Sequence, residues 1–275
     1  LKRNRVFAGS LVVVALVTMA VSVSKSQDKD KLTITVSGAA MASDQVADWG
    51  KHFMELNPDI RVVVTGSSAG KGFEDLIEGR TNLCLASRSM LSEEQQKAST
   101  KGLKLTSRLV GNAGLCVITS PQNPVRELTM EQLRKIFLGE YSNWKEVGGP
   151  DSPIRCLTRR IPESGGAVFF HQEVLGKQPF GAKTVFTETW STIVKACGGA
   201  SDLPVGIAPF MSIKEKVKLL ALKKDGNSAA VVPSQDTLRD KTYPLLVPIT
   251  MYWETPLKNK EIEVFVNFCA SSGLL

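Results

Sequence analysis

Apolar positions along this chain switch repeatedly between a two-residue and a helical period. Leu32 to Ser37 alternates and reads as a strand, after which Val46, Trp49, Phe53 and Leu56 recur at three- and four-residue steps along one helix face. Asn57-Pro58 stops that helix, because proline disfavours helical backbone in the residue before it. Ile60 to Thr65 is a β-branched strand, Phe73, Leu76 and Ile77 mark a second helix ending near Gly79, and Asn82 to Ala86 is a third strand leading into Ser87-Arg88-Ser89. A helix over Glu93 to Ser99 and strands over Leu103 to Val110 and Leu115 to Ser120 follow.

A second set of units opens with the helix face Met130, Leu133, Ile136 and Phe137, a turn-rich loop from Gly139 to Gly149 around Trp144, and a strand from Ile154 to Thr158. Phe169, Phe170, Val174 and Leu175 then lie on a helix, Trp190 to Cys197 on another, and Val205 to Pro209 and Val217 to Leu222 on strands. Tyr243 to Trp253 is the last strand and Asn259 to Ala270 the last helix. Strand and helix alternate throughout, which predicts an α/β fold with largely parallel sheets. No repeat and no Pro/Gly/Ser linker interrupts the pattern, so two lobes joined by strands fit better than separate domains.

Three junctions run a strand through a small-residue turn straight into a helix: Gly38-Ala-Ala-Met41, Gly66-Ser-Ser-Ala-Gly70 and Ser164-Gly-Gly166. The first N–H groups of a helix have no partner inside it, and the aligned peptide dipoles put roughly half a positive charge there. Small residues let the backbone approach an oxyanion closely. Arg160 stands four residues before Ser164 and adds a guanidinium.

The first 24 residues differ from the rest. Lys2, Arg3 and Arg5 precede an uncharged run from Val6 to Ser24 and a polar stretch from Lys25 to Lys31, the pattern of a secretory leader cut near Ser22 to Ser26. A retained N-terminal anchor is the alternative, since the run is about as long as the shortest membrane spans. With 43% hydrophobic and 22% charged residues the remainder reads as globular. The net charge of +7 drops to +4 without Lys2, Arg3 and Arg5, a mild excess that suits an anionic ligand. No Lys/Arg run is interleaved with aromatics, so nucleic acid is not an expected partner.

Cys84, Cys116, Cys156, Cys197 and Cys269 lie too far apart for metal-ligand spacing, and their odd number leaves at least one thiol unpaired. The first three sit within apolar strands, where a free cysteine behaves as a small hydrophobe. His52 and His171 read as surface or capping residues. With no metal cluster, no paired carboxylates and no nucleophile beside a base, neither a metal, a cofactor nor an enzymatic activity is expected.

The stretch from Leu128-Thr-Met130 through Ile136-Phe-Leu-Gly139 to Asn143-Trp-Lys-Glu-Val-Gly-Gly149 resembles a signature of the periplasmic phosphate-binding proteins of ABC transporters, the type II solute-binding family. Gly66-Ser-Ser-Ala-Gly70, Ala86-Ser-Arg88, the spacing of Arg160 to Ser164-Gly165, Val205-Gly-Ile207 and Tyr243-Pro-Leu245 extend the likeness, in order, over residues 32–272. The resemblance implies a two-lobed periplasmic-binding-protein type II clamp, each lobe a mostly parallel sheet flanked by helices. It puts residues 32–108 plus 245–275 in the first lobe and 109–244 in the second. It also implies an exported, periplasmic or extracytoplasmic monomer that captures inorganic phosphate or a similar oxyanion between the lobes and hands it to a membrane permease. Family members continue past the position matching Gly273 through another short segment.

Positions matching the family's ligand contacts are Ala40, Met41, Ser67, Arg88, Arg160, Ser164, Gly165 and Gly166. On that reading Ser67 and Ser164 donate hydroxyls, Met41, Gly165 and Gly166 backbone N–H groups, and Arg160 a forked guanidinium. Of the adjacent pair Arg159 and Arg160, one is expected to face solvent, and the match assigns the ligand to Arg160. The alternative for Arg160 is a surface salt bridge to Glu163, and for Arg88 a pairing with a neighbouring carboxylate. Three positions depart from the family. Ala40 and Gly166 replace hydroxyl donors, and Arg88 stands where well-known phosphate binders carry an Asp that accepts the proton of monohydrogen phosphate. These departures predict weaker discrimination of phosphate from sulfate, and they favour a second function, an envelope sensor or signalling module that keeps the clamp.

Overall fold

A computed structural model describes residues 31–199, 202–257 and 259–272; the expected leader lies outside them. Strand β1 (Leu32–Ala39) buries Ile34 and Val36, and runs directly into helix α1 (Ala40–Leu56). β2 (Ile60–Ser67) leads into α2 (Ala69–Ile77), and β3 (Leu83–Ala86) into a loop before α3 (Ser92–Thr100). β1 pairs in parallel with β2 on one side and β3 on the other. Val46, Trp49 and Phe53 are buried as the helical period predicts, but Leu56, the last residue of α1, is 62% exposed where the helix ends.

The two strands expected over Leu103 to Ser120 are one, β4 (Lys104–Thr119). Gly114, which broke the pattern, is a packing glycine: a Cβ there would meet both methyl carbons of Leu238. Next come β5 (Glu127–Thr129), α4 (Met130–Leu138), a 3₁₀ turn (Trp144–Val147), β6 (Cys156–Arg159), α5 (Gly165–Glu173), β7 (Val185–Thr187) and α6 (Trp190–Gly199). β8 (Val205–Pro209), β9 (Lys218–Leu219), β10 (Ala221–Lys223), α7 (Gln235–Arg239), β11 (Leu246–Thr255) and α8 (Glu261–Ser272) complete the order. The expected strand Val217 to Leu222 divides because it changes partner: β9 lies on β4, whereas β10 pairs with β5.

The main sheet has the order β2-β1-β3-β11-β4-β8-β6-β7. Its flanks are parallel, as the alternation of strands and helices requires. Its centre is antiparallel, because β11 runs against both β3 and β4, and β4 runs against β8. The first part of β4 pairs with β11, and only its last residues, Leu115 to Thr119, with β8. One continuous strand therefore serves both halves of the fold.

Aromatic packing holds the helices down. Phe53 of α1 meets Phe265 and Phe268 of α8 edge to face at 5.1 and 5.3 Å between ring centres. The signature stretch is scaffolding: Thr129 caps α4 in a reciprocal pair with Gln132, Gly139 ends it at φ +79°, and fully buried Trp144 donates from Nε1 to the Leu203 carbonyl at 2.7 Å. All five cysteines are free and buried, and burial pushes the thiols of Cys156, Cys197 and Cys269 up to about 12. His52 is exposed beside Glu55 at 3.1 Å, and His171 stacks on Phe180. Among the described residues, no helix is long and apolar enough to cross a membrane.

Gly38 fixes the end of β1. Its φ of +133° suits only glycine, and a Cβ there would overlap the carbonyl of Leu85 on β3. Gly38→Ala is expected to cost about 3 kcal/mol or more of unfolding free energy, since backbone strain and overlap combine. Urea denaturation measures it; a loss under about 1 kcal/mol would contradict the required close approach.

Candidate functional site

The C-terminal ends of β1, β2, β3 and β6 open on one gap, the place where open α/β sheets hold ligands. The residues following each strand line a common cavity. Ala39, Ala40 and Met41 come from the start of α1, Ser67, Ser68 and Ala69 from the start of α2, and Ser164, Gly165 and Gly166 from the start of α5. Ser87, Arg159, Glu163 and Trp190, the first residue of α6, complete it. The cavity is narrow, about 10 Å³, close to the room one water needs. Its walls meet at Gly165, where a Cβ would overlap the hydroxyl of Ser87.

The helices at this point share a property that the others lack. α1, α2, α5 and α6 carry no Asp or Glu in the first turn. α3, α4, α7 and α8 all do. A first-turn carboxylate satisfies the positive end of a helix; α1, α2 and α5 bring such uncompensated ends to the cavity, while α6 brings the Trp190 side chain and is capped by Thr189, whose hydroxyl accepts from Thr192 N at 3.1 Å. Ser68 and Ser164 cap their own helices through Lys71 N and Ala167 N at 3.1 and 3.4 Å, whereas α1 starts at Ala39 with no side-chain cap. Ser67 donates its hydroxyl to the Ser68 carbonyl at 3.3 Å.

Six of the eight residues singled out from sequence therefore come together: Ala40, Met41, Ser67, Ser164, Gly165 and Gly166. Two do not. Arg88 is not among the lining residues and forms a two-pronged ion pair with Glu94, with Nη1 and Nη2 at 2.8 and 2.7 Å from the carboxylate and the guanidinium over the ring of Phe73. Its side chain is only 6% exposed, so its charge is consumed where it stands. Pairing with a neighbouring carboxylate, the alternative weighed for this residue, describes it.

Arg160 also lies outside the lining; it is exposed, with its guanidinium 5.6 Å from the ring centre of Phe186. Successive residues leaving a strand face opposite ways, and Arg159 is the one that turns inward. Burial pushes the Arg159 guanidinium below its ordinary value, while Glu163 and Glu188 pull it back up. Sequence reasoning missed Ser87, Glu163 and Trp190 as well, since none belongs to a small-residue turn. The contrast in first-turn acids was open to reading, and would have picked out α6 together with the other three helix starts.

Residues 23–272 match the model of the PBP superfamily domain. The chain belongs to the PBP superfamily. This PBP-superfamily chain is 28% identical over 238 residues to the phosphate-binding protein PstS of Staphylococcus saprophyticus, a match spanning 84% of this chain and 73% of that protein. Its fold is similar to that of a Clostridium perfringens protein assigned as a phosphate ABC transporter substrate-binding protein and solved with bound phosphate, at a TM-score of 0.71 and 22% identity over 86% of this chain and 92% of the other. An ABC-type phosphate transport receptor from Vibrio cholerae aligns at a TM-score of 0.66 and 23% identity, over 86% and 93% of the two chains. The two-lobed α/β clamp is the fold of this chain.

Glu94 secures Arg88 beneath α2 and also accepts from Leu91 N at 2.8 Å. Glu94→Ala leaves a buried cation unpaired and is expected to destabilise the protein by about 3 kcal/mol. Chemical denaturation of the variant measures this, and a change below about 1 kcal/mol would mean that Arg88 finds water or another partner.

Proposed function

We propose that this chain captures inorganic phosphate, or a similar oxyanion, in the cleft between its lobes and delivers it to an ABC permease outside the cytoplasm. The convergence of three helix starts free of first-turn acids, those of α1, α2 and α5, carries the reading. Each helix start favours an anion by about 0.3–1 kcal/mol when exposed and up to about 2 when partly buried, so three acting together make a site without any metal. The relatives' names support phosphate as the anion.

In this reading the lobes are residues 32–108 plus 245–275 and 109–244, and the protein works as a monomer. Met41, Gly165 and Gly166 present backbone N–H groups, Ser67 and Ser164 present hydroxyls, and Ala40 allows close approach. A space of about 10 Å³ is too small for phosphate, so uptake requires the walls at Ser87 and Gly165 to part and then close on the anion. Closure draws only on the difference in affinity between open and closed states. Binding without chemistry is the reading that the relatives' names support.

Selectivity falls to Glu163, the carboxylate in the lining. It accepts a hydrogen bond from monohydrogen phosphate, whereas sulfate brings no proton and leaves two acceptors facing each other. Calorimetry on the purified protein is expected to show phosphate and arsenate binding that excess sulfate displaces poorly, and Glu163→Gln is expected to narrow the phosphate-to-sulfate ratio by about tenfold or more. Equal competition by sulfate in the wild type would return selectivity to the weak discrimination that Ala40, Arg88 and Gly166 predict. The narrow cavity and those two lost hydroxyls favour a second reading, an envelope sensor with the same clamp. Absence of both heat and thermal shift at millimolar phosphate would select it.

A further inference from the structure

Arg159 is a cation with no ion-paired carboxylate among the described residues. It is half-buried at the end of β6, its Nε is buried without a hydrogen-bond partner, and among the described residues it forms no salt bridge. Glu163 and Glu188 act on it electrostatically, yet neither pairs with it. A guanidinium held in that way is costly unless something else supports its charge.

The support is Trp190. Its ring is buried, 7% exposed, and its centre lies 5.5 Å from the guanidinium carbon of Arg159. A ring stabilises a cation through its face and leaves the in-plane N–H donors unspent, whereas a carboxylate partner would consume them. Gly166 makes room for the ring. A Cβ at 166 would stand 3.1 and 3.4 Å from Trp190 Cζ2 and Cη2, so the side chain that relatives carry there would press on the indole. The glycine that read as a lost donor is the seat of an aromatic support.

Resting on the phosphate-capture reading, we propose that Arg159, not Arg160, is the guanidinium that engages the captured oxyanion, and that Trp190 is the positioning residue that holds it toward the cleft. Arg160 keeps its place over Phe186, outside the lining.

The test is calorimetric titration of the full chain and its variants with inorganic phosphate, with thermal unfolding to establish that each variant is folded. Arg159→Gln is expected to raise the phosphate Kd by about 30-fold or more, because a charge-assisted fork is lost, and Arg160→Gln by less than about threefold. Arg159→Lys, which keeps the charge and loses the fork, should fall between wild type and Arg159→Gln, and it serves where the glutamine variant is unstable. Trp190→Leu is expected to weaken binding about tenfold, Trp190→Phe to recover most of that, and Trp190→Leu to add less than about twofold in an Arg159→Gln background. Additive losses in that double variant would reduce Trp190 to a packing residue and overturn its positioning role. Wild-type protein that binds phosphate while Arg159→Gln binds equally well, or while Arg160→Gln loses as much, would overturn the assignment alone. Wild-type protein that takes up no phosphate would overturn the capture reading and the assignment with it.

Discussion

Everything at the cleft follows from one constraint: a strand that turns straight into a helix leaves several N–H groups with no partner inside the helix. At most helix ends of this chain the sequence supplies the remedy locally. Glu94 at the start of α3 reaches back to Leu91 N, and Thr129 and Gln132 cap α4 reciprocally. At α1, α2, α5 and α6 that remedy stops short of a carboxylate, and the starts of the first three converge, with the Trp190 side chain of α6 beside them. The positive ends reinforce one another across a small space, which costs stability unless Glu163, an entering anion or water offsets it.

That convergence depends on close backbone approaches far more than on any side-chain contact. Gly38 brings the end of β1 against Leu85 of β3, and Gly165 brings the start of α5 against Ser87. A single methyl group at either position would move a helix start outward. The parallel flanks aim the strand ends at the gap, while β4 and β11 run antiparallel through the middle and tie the halves together. Since β4 pairs with β11 along its first part and with β8 at its end, the lobe motion that the proposed capture requires would bend a strand that both lobes share. A hinge of that kind favours a few discrete arrangements of packed walls over continuous deformation.

The fold was legible because periodicity is a local signal that burial then obeys. Val46, Trp49 and Phe53 are buried as their spacing requires, and only Leu56, beyond the reach of the sheet, escapes it. β4 was harder: it read as two strands, and only the position of Leu238, far along the chain, explains why Gly114 between them is small. At the site, the three small-residue turns were readable for the same local reason. Charge was not. Whether Arg159 or Arg160 faces inward depends on the face that β6 presents, which no adjacent-pair argument can decide. Arg88 matched a ligand position in order, yet its charge answers to Glu94, six residues on and at the start of the next helix. The most specific stretch, Leu128 to Gly149, proved informative about family and silent about chemistry, because its residues cap, turn and pack around Trp144.

The departures from the family's pattern are therefore not independent losses. A hydroxyl at 166 would offer one hydrogen bond, worth about 1 kcal/mol net. The ring that occupies that space supports a guanidinium by about 0.5–2 kcal/mol, more as water is excluded, and leaves the donors of Arg159 unspent. Exchanging a neutral donor for a supported charge raises the field at the cleft without adding a residue to it. Glu163 then limits what that field attracts, since any anion that enters must also satisfy a carboxylate. In the proposed capture, attraction from three helix starts and one arginine, set against one acceptor that demands a proton, would select by protonation state before it selects by shape.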